Sequence, residues 1–399
     1  MRQSSLVVSS LQPLWQELRE ELSGLHDRDL FRSLTTVEEI RGPEVRVGGR
    51  WLVCWCSNDY LGFSTHPAIV RAAAEAAAHW GVGARASRLL AGSTAVHERL
   101  EDRLADFFGA EHAIVFASGY LANLGTLSTL LGPEDVVLVD RLAHASLIDA
   151  CRASRATFRV FRHNDAEHVA SLLARYPGAR RRLVVTEGVF SMDGDRAPLA
   201  ALLDTVQQHE AFLYVDDAHG AFVLGETGRG SPEAAGVPHD ALLYMGTLGK
   251  ALGAQGGFVV GPAPLIELLQ NRARTFLYAT ALAVPVAAAA LEALRIVRED
   301  PSPRAKLRRN VERLGARLGA AGSHIMPLIV GSARRARELS SELLARGILA
   351  PAVRPPTVPE GTARIRLSVS ALHTEQQIDQ LTDALATLLP RISNDQTVW

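Results

Sequence analysis

Residues 112–140 read HAIVFASGYLANLGTLSTLLGPEDVVLVD. Two short apolar runs, 112–118 and 135–140, are rich in β-branched residues and read as strands. Between them, residues 120–132 carry leucines at helical spacing, and a Gly-Pro pair closes the stretch. A strand, a helix and a second strand in one continuous run make a crossover unit, the connection that parallel strands need. Neither run alternates with polar residues, so both faces of the sheet are expected to be covered.

The same alternation extends in both directions. Upstream, two helical stretches, 68–80 and 97–109, follow a short β region ending at Cys56 and an amphipathic helical stretch over 11–34. Downstream, strands at 157–161, 181–187 and 211–217 alternate with helices at 144–154, 165–176 and 198–210. Strands at 241–247 and 256–261 close the series. A long alanine-rich helix then leads into a smaller α+β segment. The expected class is α/β. A large domain with a mostly parallel, seven-stranded sheet spans 59–290. A small α+β domain combines 291–399 with the N-terminal segment 1–58.

Composition narrows the classes. The chain has 399 residues, 47% of them hydrophobic and 21% charged, with a net charge of −1. That balance gives no electrostatic case for nucleic acid or an anionic membrane surface as partner. No apolar run approaches the ~20 residues of a membrane-crossing helix. The start, MRQSSLVVSSLQPLW, carries only a short apolar patch and no clear cleavage site, so a cytoplasmic location is expected. Three cysteines, Cys54, Cys56 and Cys151, make no disulfide framework and read as buried thiols.

In parallel α/β sheets, ligands bind beyond the carboxyl ends of the strands. Those ends carry Ser118, Gly119 and Tyr120 opening a helix; His144; Glu187 and Ser191; Asp216, Asp217 and His219; and Thr247 and Lys250. Taken singly, each has an ordinary structural explanation. Ser118 can be a helix cap, His144 a helix-start residue, and Asp216 with Asp217 a cap or half a metal site. The GVGARA run at 81–86 follows a helix rather than a strand, so it is not a dinucleotide fingerprint. Together on one rim, the residues suit pyridoxal 5′-phosphate (PLP). Lys250 offers an amine for a Schiff base. The Ser118–Gly119 helix start offers an anion nest for the phosphate. Asp216 can keep a pyridine nitrogen protonated. His144 offers a flat stacking partner, and His219 a donor for the phenolate oxygen. A metal-dependent hydrolase built on Asp216, Asp217 and His219 is the competing reading, and it leaves Lys250 and His144 without a role.

Eight segments then carry a family likeness: SNDYLGF, SGYLAN, LAHASLIDA, HND, VVTEGVFSMDGD, VDDAHGAFVLGETGRG, GTLGKALGAQGGF and RPPTVPEGTARIRLSVSALHT. Over residues 18–389 the chain resembles the α-oxoamine synthases. These are fold-type I PLP enzymes that join an amino acid to an acyl-CoA with loss of CO₂. The resemblance implies Lys250 as the Schiff-base lysine, with Asp216, His219 and His144 around the ring. It also implies Ser118, Gly119, Tyr120, Glu187, Ser191 and Thr247 at the cofactor, and Thr280 reaching the phosphate of a neighbouring subunit. Asn58 and Arg366 would meet substrate, Arg366 as the carboxylate clamp. Arg32 matches an N-terminal arginine near substrate. No metal is implied, and a homodimer with shared active sites is. TEGVFSMDGD and RPPTVPEGTARIRL are most like the branch acylating L-alanine with a pimeloyl thioester, on CoA or a carrier protein. Branches using glycine or serine, or another acyl-CoA, stay open. Arg85 and Arg88 stand where relatives carry glycine-rich text, and their role is open between acyl-CoA phosphates and structure.

Overall fold

The computed structural model describes residues 11–319 and 323–392. The reading of residues 1–10 as a start without a leader lies outside them. The strands in chain order are β1 (Glu39–Arg41), β2 (Glu44–Val47), β3 (Arg50–Cys54), β4 (His112–Phe116), β5 (Val136–Asp140), β6 (Thr157–Phe161) and β7 (Arg182–Glu187). Then follow β8 (Phe212–Asp216), β9 (Leu243–Thr247), β10 (Gly257–Gly261), β11 (Ile325–Gly331), β12 (Ile348–Leu349), β13 (Ala352–Val353) and β14 (Ala363–Ser368).

The chain divides into two compact units. The larger comprises Ser57–Ile325 and Ser368–Thr374. Its sheet has seven strands in the order β4-β10-β9-β8-β7-β5-β6. The pairs β9 to β8, β8 to β7, β7 to β5 and β5 to β6 are parallel. Only β10 runs against its neighbours, β4 and β9. The reason is local. The link from β9 to β10 holds no helix, so the chain turns straight back instead of crossing over. Val137, Val139, Val185, Tyr214 and Val259 are fully buried in one core with Ile114, Leu127 and Leu147. Burying each such side chain contributes about 2 kcal/mol.

The sequence reading put the second domain boundary at 290. The chain instead stays in the larger unit through Ile325. The Val284–Glu299 helix packs on the Pro67–Trp80 and Ala95–Phe108 helices, burying Ala287, Ala290, Ala293 and Val297. Small alanine side chains let the helices approach closely, so this helix packs with the helices of the larger unit.

The smaller unit is built from the N-terminal segment through Cys56, Met326–Leu367 and the segment from Glu375. One sheet has the order β1-β2-β3-β12 and another β11-β14-β13. Gly48 and Gly49, both at positive φ, turn β2 into β3. Pro351 separates the short strands β12 and β13, which belong to different sheets. The Ala333–Ala345 helix packs on both. The N-terminal helix covers Gln12–Asp27, shorter than the expected 11–34, and Asp29 beyond it sits at φ 58. Cys54 and Cys56 are half-buried with their sulfurs 3.7 Å apart. Cys151 is buried in the large core, and burial pushes its thiol up to about 12.

Candidate active site

The rim expected from the sequence forms at the carboxyl ends of β4, β5, β7, β8 and β9. Ser118 caps the Gly119–Leu130 helix, its Oγ accepting from Leu121 N at 3.2 Å. The amides of Gly119 and Tyr120, ahead of that bond, belong to the first turn, where no helical carbonyl can receive them. A Cβ built on Gly119 would lie 3.3 Å from Met245 Cε and 3.6 Å from Thr247 Oγ1. One built on Gly257 would lie 2.6 Å from Gly119 Cα. Glycine at both places therefore lets β10, the helix start and Thr247 close into one cradle. In this structure the Thr247 hydroxyl donates to Gly256 O at 2.8 Å and accepts from Gly249 N.

Asp216 ends β8 and is buried. Its Oδ2 accepts from Asn123 Nδ2 at 2.7 Å and its Oδ1 from Ala218 N at 2.9 Å. Asn123 lies one turn along the helix that Ser118 caps. It also donates to Ser146 and accepts from the Tyr214 hydroxyl. Ser146 Oγ in turn sits 2.8 Å from His144 Nδ1. Asn123, Ser146 and Tyr214 thus fix Asp216 and His144, and the sequence reading missed all three. Asn123 was within the quoted SGYLAN segment, one helical turn beyond Gly119, the spacing that places it on the rim side.

Glu187 pairs with Asp216 across β7 and β8, and its Oε1 accepts from His144 N at 2.7 Å. Burial, reinforced by the Asp216 charge, pushes its carboxyl up to about 8. The amide of Ser191 hydrogen-bonds to the same carboxylate. His144 is solvent-exposed. Protein crowded around its ring limits hydration and holds its pKa below the usual imidazole range, while Asp216 pulls the other way.

Lys250 Nζ lies 2.7 Å from His219 Nε2. His219 Nδ1 lies 2.6 Å from the Tyr60 hydroxyl, which donates to Asn58 Oδ1 at 3.1 Å. One assignment satisfies all three contacts. The Lys250 ammonium donates to Nε2, Nδ1–H donates to Tyr60, and Tyr60 donates to Asn58. Tyr60 is a site residue the sequence reading missed, although SNDYLGF contained it.

Asp217 points to the opposite side of β8 from Asp216 and is fully buried. It accepts from Ser231 N, Ser231 Oγ and the Tyr244 hydroxyl. Burial pushes its carboxyl up to about 7. With its oxygens committed to these donors and aimed away from Asp216, the paired-aspartate hydrolase reading loses its geometry.

Thr280 is exposed. Arg366, buried on β14, and exposed Arg32, bonded to Pro355 O at 2.9 Å, belong to the smaller unit. Arg88 forms a two-bond ion pair with Glu101 at 2.8 and 2.7 Å, with side chains only 8% and 11% exposed. That assigns Arg88 to structure. Arg85 is exposed at φ 67.

The residues present fit PLP: a glycine cradle with open helix amides, a buried carboxylate held by neutral donors, and an amine on a short loop. Comparison with known proteins agrees. The family model for class I and II aminotransferases matches residues 51–385. The 8-amino-7-oxononanoate synthase of Chromobacterium violaceum is 46% identical over 93% of this chain and 98% of its own. That of Anaeromyxobacter dehalogenans is 48% identical over 93% and 94%.

The chain belongs to the α-oxoamine synthase family of PLP enzymes. Among solved structures, the synthase is similar to a serine palmitoyltransferase from S. paucimobilis carrying bound PLP and myriocin. Its TM-score is 0.90 at 31% identity, covering 96% of this chain and 98% of that one. It is also similar to the 8-amino-7-oxononanoate synthase of Francisella tularensis, with TM-score 0.73 at 28% identity over 85% and 98%. No helix among the described residues of the synthase is long and apolar enough to cross a membrane.

Proposed function

We propose that the chain condenses L-alanine with a pimeloyl thioester, releasing CO₂ and the thiol, to give 8-amino-7-oxononanoate for biotin synthesis. The observation that carries this reading is the run of curated synthases of that name at 43–48% identity, matching 92–94% of the chain. When bound, PLP supplies an electron sink conjugated with the amino-acid Cα.

The chain's own groups have the following roles. Lys250 would hold the cofactor through its amine and would serve as the base for the alanine Cα proton. His219 accepts a hydrogen bond from Nζ in the free protein, which keeps the amine aimed along one line, and donates to the phenolate oxygen when the cofactor is present. Asp216, fixed by Asn123, holds a proton on the ring nitrogen. His144 covers one face of the ring. Ser118, Gly119, Tyr120 and Thr247 would hold the phosphate, with Ser191 on the phenolate side and Glu187 at the cofactor beside Asp216. Arg366 takes the amino-acid carboxylate through a planar fork that a lysine cannot reproduce, and Asn58 and Arg32 contact substrate. A homodimer sharing its sites, with Thr280 of one protomer serving the other's phosphate, and a cytoplasmic location complete the reading.

The likeness to serine palmitoyltransferase favours a second reading, in which serine or glycine and another acyl-CoA are used. One experiment separates them. Thiol release is followed with alanine, glycine or serine against pimeloyl-, acetyl- and palmitoyl-CoA. Alanine with pimeloyl-CoA is expected to be fastest, and a faster serine–palmitoyl or glycine–acetyl pair overturns the assignment.

A further inference from the structure

Beside the rim lies a polar cluster to which the reaction assigns no role. Asp140 ends β5, and its Oδ1 accepts from Leu142 N at 2.8 Å while its backbone carbonyl accepts from Ala143 N. It thereby shapes the turn that delivers His144. Across from it, residues 188–197 form a closed loop. Val189 bridges Arg196, Phe190 N donates to Asp195 O at 2.9 Å, and Gly194 N donates to Phe190 O at 2.8 Å. This loop carries Ser191, whose amide meets Glu187. Both loops therefore end on the same carboxylate, Glu187, one through His144 N and the other through Ser191 N.

His163 stands between them. Its Nδ1 lies 2.8 Å from Asp140 Oδ1 and its Nε2 lies 2.8 Å from Asp195 Oδ2. Each ring nitrogen faces a carboxylate, so both carry hydrogens and the ring is an imidazolium. The edge of its ring packs with Phe190, centroids 4.4 Å apart at 83°. Asn164 repeats the bridge with different atoms. Its backbone N donates to Asp140 Oδ2 at 2.9 Å and its Nδ2 to Asp195 Oδ2 at 2.7 Å. It does so from φ 56, a left-handed conformation that asparagine tolerates better than most residues. Two consecutive residues spanning the same two carboxylates, one of them in a sparsely populated backbone region, is more than one surface ion pair needs.

We propose that His163 is a positioning residue, a latch that ties the His144 turn to the Ser191 loop and holds both against Glu187. The proposal rests on the functional reading only in naming what those loops serve. The tie itself is a property of the cofactor-free protein and is tested there.

The experiment is hydrogen exchange read by mass spectrometry, with and without PLP, comparing the natural protein with His163→Gln. Glutamine is neutral and cannot reach both carboxylates at once. Loss of one charge-assisted bond is expected to speed exchange in both 141–147 and 188–197 by about tenfold or more, with β4 and β8 unchanged. In the loaded enzyme the circular dichroism of the cofactor band should shrink. There kcat should fall about tenfold while the KM for alanine stays within about twofold, the split expected when binding is kept and alignment is lost. Faster exchange in only one loop, or in neither, overturns the latch. Should His163→Gln not accumulate folded, Asp195→Asn keeps an acceptor for Nε2 without the charge and is read by the same two-loop criterion. The two readings fail separately. Colourless natural protein with coupled loops sinks the PLP reading and leaves the latch, and coloured protein with uncoupled loops does the reverse.

Discussion

At the scale of single residues, the site is a set of groups each held by a neighbour that does no chemistry. Tyr60 is the sharpest case. Its hydroxyl takes the Nδ1 hydrogen of His219 and so leaves Nε2 free to accept from Lys250. Tyr60→Phe removes the hydrogen bond that orients the His219 ring without disturbing the ring packing. The expected result is a kcat about tenfold lower, the worth of one such bond, with the cofactor band retained. A fall in colour and stability instead would mean that Tyr60 matters only for folding. Asp216→Asn keeps the shape but drops the charge. Losing the electrostatic support of the ring proton should cost about 3–4 kcal/mol, a rate loss of about 10²–10³, read as single-turnover thiol release. Asp216 and Asp217 also show what alternation makes legible. Neighbours on a strand face opposite ways, so only one of them can face the rim, but which one depends on Asn123, 93 positions away.

At the scale of elements, the decisive junction is where β10 passes the start of the Gly119–Leu130 helix. A Cβ on Gly257 would meet Gly119 Cα at 2.6 Å and Gly119 N and Ser118 O at 2.8 Å, all backbone atoms that cannot rotate away. Gly257→Ala must push the helix start outward or bend the strand. We expect a loss of about 1–3 kcal/mol in unfolding free energy by urea titration. PLP affinity should also fall at least about tenfold, because the open amides move off target. Unchanged affinity with reduced stability would separate the cradle from the fold. The strands and helices of this layer were readable because their apolar runs are short and their crossovers long. The reversed strand β10 was not singled out, since its composition matches the parallel strands and only the helix-free link before it sets direction. Residues 88–92 form a turn kinked at Leu90, where the backbone leaves helical geometry (φ −99, ψ −106), which periodicity could not reveal; the Arg88–Glu101 pair anchors its start.

At the scale of the whole molecule, the sequence placed a boundary at 290 because the alternation stops there. Packing moved it to 325, because an alanine-rich helix says nothing about which sheet it will cover. Charge distribution gives the unit a pH signature. Burial disfavours the charged ring of His163, but the hydrogen bonds and charges of the Asp140 and Asp195 carboxylates together outweigh it and raise its folded pKa to about 9. A raised histidine contributes stability that is fully present below its unfolded value of about 6.5 and is lost as pH rises through 9. The natural protein, free of cofactor, should therefore lose Tm between pH 6.5 and 9 more steeply than His163→Gln. Parallel profiles for the two would show that the imidazolium is not the group responsible.

The largest-scale prediction concerns assembly. Thr280 is exposed, although the family likeness assigns it to a phosphate. A shared site resolves that mismatch, with the hydroxyl serving the neighbouring protomer. Lys250→Ala is expected to be inactive, and borohydride should fix no cofactor on it. Thr280→Ala should be weakened in PLP affinity by about tenfold, the loss of one hydrogen bond to a charged group. Mixed and allowed to exchange subunits at low PLP, the two variants form a heterodimer in which one site has lost both groups and the other keeps both. Activity should rise above the sum of the separate variants towards about one quarter of the natural level, since half the dimers are mixed and each carries one intact site. If mixing yields only the sum, while labelled subunits are seen to exchange, Thr280 serves its own protomer and the shared-site reading fails.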